Sequence, residues 1–179
     1  MMKNVLVISG SPRRNGNSDI LSEQFVKGAE NSGNRVEQIF IRDLKLGYCT
    51  GCGYCMKTGK CSLKDMLNDI LPKLLEADVI CFSSPVYCYS VTGQMKVFLD
   101  RCSPLIGKMK DKDFYYMVTA WDTLKENLDI TMQTFHGFAI CFDNIREKGR
   151  VYGGDTDKKG DVKNTQAYEK AYNMGLNIK

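Results

Sequence analysis

The chain has a single histidine, His136, among 179 residues. No Ser-His-Asp set can be assembled from so little histidine, and no pair of carboxylates stands out for hydrolysis. No apolar run approaches the roughly 20 residues that a membrane span needs. The opening run Val5–Ile8 is also too short for a signal-peptide core. The expected location is cytoplasmic, with no membrane partner. Charge of one sign is lacking too: 25 basic and 21 acidic residues leave a net +4. That balance points away from nucleic acid as a partner. The densest basic stretch, Lys108-Met-Lys-Asp-Lys-Asp113, mixes signs and reads as a solvated connection. No internal repeat, low-complexity tract or linker divides the sequence, so residues 1–179 are expected to form one domain.

Cysteine, in contrast, is plentiful: eight residues, four of them within the thirteen-residue run Cys49-Thr-Gly-Cys52-Gly-Tyr-Cys55-Met-Lys-Thr-Gly-Lys-Cys61. The cytosol keeps thiols reduced, so metal binding, redox chemistry or burial must account for them. The spacing lets four thiolates converge, and Gly51, Gly53 and Gly59 let the loop wrap tightly. Four thiolates suit a [4Fe–4S] cluster or a tetrahedral zinc, and free thiols are the third possibility. Cys81 and Cys141 fall in strand patterns and Cys102 on a helical stripe, all three as core positions.

Strand and helix patterns alternate along the chain. Val5–Ile8 and Val79–Phe82 are continuous apolar runs, as expected of strands covered on both faces. Val36–Ile41 alternates loosely, Phe114–Val118 reads as a strand, and Phe138–Phe142 as a fifth that Val151-Tyr152 extends. Helical spacing relates Ile20 to Ala29, Met66 to Leu75, Met95 to Cys102, Leu124 to Phe135 and Ala167 to Ile178. Pro72 is expected to kink or split its helix. Five strands interleaved with helices imply a parallel α/β sheet covered on both sides. Gly153–Gly160 reads as a surface loop, Asp100-Arg101 as a local ion pair, His136 as favouring a helix C-terminus, and Tyr168 and Tyr172 as packing residues.

The turn leaving the first strand, Ser9-Gly-Ser-Pro-Arg-Arg-Asn-Gly-Asn-Ser18, combines short hydrogen-bonding side chains with Gly10, Gly16 and arginine. A helix follows, offering free amides and the positive end of its dipole, so the loop suits a phosphate dianion. It is neither a Walker A loop nor a dinucleotide fingerprint. The alternative is a plain turn with a helix cap at Asn17 or Ser18. A second turn, Ser83-Ser-Pro-Val-Tyr-Cys-Tyr-Ser-Val-Thr-Gly93, offers Tyr87 and Tyr89 as flat faces for a stacked ring, or as ordinary surface tyrosines. Thr92 or Ser90 is a candidate cap for the helix beyond it.

Ser9-Gly-Ser-Pro-Arg13 with Gly16-Asn-Ser18, then Ser84-Pro-Val-Tyr87 and Gly93-Gln-Met-Lys-Val-Phe-Leu-Asp-Arg101, resembles the flavodoxin-like NAD(P)H-dependent FMN reductases. The cysteine run looks like that of iron-sulfur flavoproteins of the same fold. The resemblance implies a flavodoxin-like three-layer sandwich with a five-stranded parallel sheet in the order 2-1-3-4-5 and FMN at the switch point. It implies that Ser9, Ser11, Arg13, Gly16, Asn17 and Ser18 hold the FMN phosphate, that Pro85, Val86, Tyr87 and Cys88 border the isoalloxazine, and that Thr119, Ala120 and Trp121 form a third contact segment. Amides near Val86–Cys88 are expected to stabilise charge on the reduced ring, with no side chain acting as acid or base.

The function so implied is transfer of reducing equivalents from NAD(P)H through FMN to a small-molecule acceptor such as a quinone, a nitro or azo compound, a flavin or a metal ion. The alternative is an iron-sulfur flavoprotein that exchanges electrons with a ferredoxin, its cluster held by Cys49, Cys52, Cys55 and Cys61. A non-redox module with zinc in the cysteine loop is a further alternative. A shallow flavin site calls for a homodimer or a dimer-based tetramer.

Overall fold

The computed structural model describes residues 1–179. Five strands form one wholly parallel sheet: β1 (Asn4–Ser9), β2 (Arg35–Phe40), β3 (Val79–Pro85), β4 (Asp113–Thr119) and β5 (Arg146–Gly153), in the order β2-β1-β3-β4-β5. The chain runs from β1 outward to β2, then returns to place β3 on the other side of β1. That reversal opens a crevice beyond the carboxyl ends of β1 and β3.

Side-chain alternation along the central strands sorts the core into two layers. Val5, Val7, Val79, Cys81, Tyr115 and Met117 face helices α1 (Asn17–Asn31) and α6 (Gln166–Leu176). Leu6, Ile8, Ile80, Phe82, Phe114 and Tyr116 face α3 (Leu67–Glu76), α4 (Gly93–Asp100) and α5 (Lys125–Ala139). A short helix, α2 (Tyr54–Thr58), lies inside the cysteine loop. The flavodoxin-like architecture and its strand order are as expected. No helix is long and apolar enough to cross a membrane.

Five expectations are corrected. Phe138–Phe142 is not a strand. Phe138 and Ala139 complete α5, and Phe138 meets Phe82, Phe114 and Phe142 at centroid distances of 5.4, 6.2 and 4.9 Å. The fifth strand is the charged segment Arg146–Gly153, which lies at the sheet edge and buries only Val151 and Gly153. Cys141 is consequently exposed, whereas Cys81 and Cys102 are buried. Pro72 neither splits nor ends α3: it lies on the exposed side, where the Asn68 carbonyl that it leaves without an amide partner can reach water. Asp100 pairs with Lys96 and not with Arg101. The mixed-charge stretch is not wholly solvated either, since Asp113 is buried between Lys3 (3.3 Å) and Arg146 (2.5 Å). His136 closes the last turn of α5 against Glu147 at 2.5 Å, and Tyr172 accepts a bond from Asn31.

Helices α1 and α6 meet through glycine. A Cβ on Gly28 would lie 2.1 Å from the Tyr172 carbonyl oxygen, and one on Gly175 equally close to that of Phe25. Gly175→Ala is therefore expected to destabilise by about 1–3 kcal/mol through overpacking. Gly137, exposed on α5 with open space around it, is the contrast. Gly137→Ala is expected to stabilise by up to about 1 kcal/mol through helix propensity. Urea midpoints of the two variants should move in opposite directions.

Candidate functional site

The crevice is built first by the loop between β1 and α1. The Gly10 amide donates to the Ser83 carbonyl at 2.7 Å, and the Thr92 hydroxyl donates to the Gly10 carbonyl at 2.7 Å. A Cβ at Gly10 would meet the Met95 side chain at 2.9 Å, so glycine lets the loop lie against α4. Thr92 also caps α4, accepting the Met95 amide, as one of the two expected caps. Beyond Gly10, the Ser11 hydroxyl donates to the Arg13 carbonyl, Asn15 turns the chain at φ 54°, and the Asn15 amide donates to Asp19. Arg42 bonds both Asp19 and the Ser11 carbonyl. Gly16 is the residue preceding α1, in place of an Asn17 or Ser18 side-chain cap. The amides of Asn17, Ser18 and Asp19 have no protein acceptor, so the positive end of a 15-residue helix is open.

Three further segments close a cavity of about 160 Å³ over this helix end: Pro85–Tyr87, Thr119–Trp121, and Thr156, Asp157 and Lys159. Of the expected contact residues, Ser11, Arg13, Gly16, Asn17, Ser18, Pro85, Val86, Tyr87, Thr119, Ala120 and Trp121 all line it. Ser9 does not: its hydroxyl is buried against those of Ser22 (2.9 Å) and the Gln38 amide (3.1 Å). Cys88 does not either. It lies at the tip of a two-residue hairpin in which Tyr87 and Ser90 exchange backbone bonds. Cys88 and Tyr89 take φ 48° and 57°, the left-handed pair of a type I′ turn, without the Asn or Gly that usually fills it.

Five lining side chains are already engaged: Ser11 with Arg13, Thr156 with the Ala120 and Gly153 carbonyls, and Asn17, Ser18 and Thr119. Asn17 takes the Gly160 amide on its oxygen and donates to the Lys158 carbonyl, each at 2.9 Å, so it anchors the last loop. Ser18 shares a 2.6 Å bond with Thr119. The amides of Val86 and Tyr87 are also taken, by the Thr119 and Ser90 carbonyls, so of the three expected there to meet ring charge only that of Cys88 lacks a protein acceptor. The amide of Trp121 lacks one too, and its indole is 78% exposed at the cavity mouth. Thr156, Asp157 and Lys159 were missed from sequence. They fall in a Gly-rich surface stretch, and the only signal was that this loop follows the last strand and so lies at the carboxyl edge.

The cysteine loop forms a second cavity, of about 210 Å³, lined by Cys49, Cys52, Cys55 and Cys61 together with Leu63, Arg101 and Ile106. No three of the thiols come close enough to hold one metal ion. A tetrahedral zinc with bonds of about 2.3 Å would draw its sulfurs within about 4 Å of each other. A cubane cluster spreads its thiolates around its corners, which suits sulfurs placed around a cavity. The Ser62 hydroxyl, 3.4 Å from the Cys52 sulfur, helps hold that thiol below its usual range.

The loop is closed at its base by Arg101, 2% exposed at the end of α4. One guanidinium nitrogen donates to the Gly47 carbonyl at 2.6 Å and to Asp65 at 2.8 Å, the other to Asp65 at 3.1 Å. Asp65 also accepts the Gly47 and Leu67 amides. Arg101 thus joins both ends of the loop that carries the four cysteines.

With the fold and the two cavities established, the class follows: a flavodoxin-like α/β domain with an anion-receptive crevice at its switch point and a four-thiol cavity nearby. Residues 3–140 match the NADPH-dependent FMN reductase family, and the chain belongs to it. An iron-sulfur flavoprotein of Methanocaldococcus jannaschii is 34% identical over 182 residues, covering 97% of this chain and 94% of that protein. An iron-sulfur flavoprotein of Archaeoglobus fulgidus is 42% identical over 97 residues, 54% of this chain and 44% of that protein, so the match spans less than half of that relative. Among solved structures, the NAD(P)H:quinone oxidoreductase from Methanothermobacter marburgensis superposes with a TM-score of 0.80 at 14% identity, covering 99% of this chain and 96% of that one. At that identity the likeness is one of fold.

The Arg101 strut carries a stability prediction. The guanidinium beside Asp65 holds its carboxyl below the usual value of 3.8. Arg101→Met is expected to destabilise by about 3 kcal/mol at neutral pH, because it strands a carboxylate and a carbonyl. With a depressed folded-state pKa, the pair's contribution is complete above about 3.8 and is lost as pH falls through the lower folded value. The gap between the urea midpoints of parent and variant should therefore be constant from pH 7 to 5 and narrow below pH 4.

Proposed function

We propose that the 160 Å³ cavity receives the phosphate end of FMN and that the protein passes reducing equivalents from NAD(P)H through FMN to a small-molecule acceptor. The observation that carries this reading is the open N-terminus of α1, with three free amides, at a cavity that Arg13 and Lys159 also line. Backbone amides and two cations suit a dianion, while Asp157 adds one opposing charge. Pro85, Val86, Tyr87 and Trp121 then offer the ring an apolar and aromatic border. The cavity is too small for a whole tricycle, which would rest against this border, partly open.

Bound FMN supplies the redox chemistry, taking up two electrons as hydride and releasing them to an acceptor. The chain's own part is to bind and orient. The free Cys88 and Trp121 amides are the donors available to negative charge at the ring edge. In this reading the flavin carries the chemistry, and no side chain is assigned a catalytic role. Tyr87, Tyr89, Trp121 and Leu124 leave between 43% and 78% of their surface exposed around the mouth. A second subunit covering these residues would complete the ring site, which makes a homodimer or a tetramer of dimers the expected assembly.

The four-thiol cavity favours a second reading, in which Cys49, Cys52, Cys55 and Cys61 hold a [4Fe–4S] cluster and electrons are exchanged with a ferredoxin-like partner. Four cysteines lining one cavity, together with the likeness to iron-sulfur flavoproteins, favour a cluster over a single zinc. One preparation distinguishes the two readings: protein isolated without oxygen, titrated with FMN by fluorescence quenching, assayed for iron and sulfide, and mixed with NADH or NADPH. Four irons per chain with no nicotinamide-driven reduction would favour the second. For the cavity itself, Arg13→Ala with Lys159→Ala is expected to weaken FMN about tenfold or more and to leave riboflavin binding nearly unchanged. Equal losses for FMN and riboflavin would remove the phosphate from this cavity.

A further inference from the structure

A further cavity adjoins the four-thiol one and is separate from the crevice over α1. A groove of about 690 Å³ runs between the cysteine loop, α3 and the one-turn helix Ser103–Leu105. Its floor is apolar, made by Leu71, Leu75, Pro104 and Leu105. Its rim carries the exposed residues Lys60, Lys64 and Lys108, and no Asp or Glu lines it. None of the three lysines enters an ion pair. Lys108 is fixed in place by donating to the Gly59 carbonyl at 2.7 Å.

One wall violates helix propensity. Pro72 lies inside α3, where proline costs about 3 kcal/mol relative to alanine. It removes the amide that would have served the Asn68 carbonyl. Both Pro72 and Asn68 line the groove, so the sacrificed helix bond leaves a backbone acceptor where a ligand could use it. Breaks in local rules of this kind concentrate at binding sites. The groove also shares Cys61 and Ser62 with the four-thiol cavity.

We propose that this groove binds an anionic ring compound, its flat apolar body on the leucine floor and its acid group among the three ammonium groups. A hydroxyl or N–H on the ring would meet the Asn68 carbonyl. The volume lies in the range of small-molecule sites, roughly 300–1,000 Å³. A wall with three unpaired cations and no carboxylate favours an anion over a neutral or cationic ring. Bound there, the ligand would have Cys61 in the wall between it and the four-thiol cavity. The inference goes beyond the flavin reading and does not rest on it, since the groove and the flavin cavity have no lining residue in common.

The full chain titrated with anthraquinone-2-sulfonate by equilibrium dialysis, with and without saturating FMN, tests this. Saturable binding is expected in both conditions. Lys60→Glu with Lys64→Glu should weaken it about tenfold or more, and Lys60→Arg with Lys64→Arg should retain it. FMN affinity should be the same in both variants as in the parent. Absence of saturable binding, displacement of the probe by FMN, or unchanged affinity after charge reversal would overturn the proposal. So would sedimentation showing that charge reversal dissociates an oligomer, which would give the groove to a second copy. Probe binding retained by protein that takes up no FMN would sink the flavin reading and support the groove.

Discussion

The carboxyl edge of the sheet is organised by one buried ion pair. Asp19, in the first turn of α1, is 1% exposed, and its two oxygens meet one Arg42 nitrogen at 3.0 and 2.8 Å. The same carboxylate accepts the Asn15 amide, and the same nitrogen donates to the Ser11 carbonyl. Two side chains therefore pin both arms of the loop between β1 and α1. Burial pushes the Asp19 carboxyl above its usual range, while the Arg42 hydrogen bond and charge pull it back. Removing either partner would strand a charge in a place that water does not reach, the costly way to break such a pair. The arginine is held in turn by the face of Phe40, 4.3 Å from its guanidinium carbon. With the loop fixed by its flanks, the helix end stays open toward the cavity and needs no side-chain cap.

Around this pair, the strand ends are knitted by short hydroxyls. Ser9, Ser18, Ser22, Ser83, Thr92 and Thr119 are all 4% exposed or less, and each hydroxyl is bonded. Close approach of α1 and α4 to the strand ends favours short polar side chains there, with Gln38 reaching in to Ser9 and Ser22 from β2. Small hydroxyls bonded to each other and to carbonyls satisfy these groups in the space that remains. This is why Ser9 belongs to the frame and not to the cavity, although it stands in the same motif as Ser11.

The parts of the molecule that were legible in sequence are those governed by local pattern. Val5–Ile8 and Val79–Phe82 read as buried strands because both faces are covered, and the paired loops carried the family and hence the strand order. The fifth strand was not legible because an edge strand with one poorly covered face, Arg146–Gly153, need not be apolar. A more apolar run nearby, Phe138–Phe142, drew the assignment instead. In the site, eleven of the thirteen expected flavin contacts line one cavity, while Ser9 and Cys88 do not. Arg42 and Asp65 escaped notice, and Arg101 was read only as a local partner of Asp100, because nothing local distinguishes a surface charge from one that tertiary packing buries. Their partners lie 23 residues away for Arg42 and 36 for Arg101.

Helix α4 gives the two cavities a fixed relation. At its N-terminus the Thr92 hydroxyl holds the Gly10 carbonyl, and with it the loop of the anion-receptive crevice. At its C-terminus Arg101 holds Gly47 and Asp65, the two ends of the cysteine loop. Nine residue steps of 1.5 Å from Thr92 to Arg101 set these anchors about 13–14 Å apart along the axis. The inner face of α4, Met95, Phe98 and Leu99, is locked into the larger core, so the spacer cannot slide independently of the sheet. The glycine-rich loop of thiols is thereby tied to the packed part of the fold at both ends. Relative placement of the two cavities then depends on a short helix and two terminal hydrogen-bonding residues, not on the loops that line them.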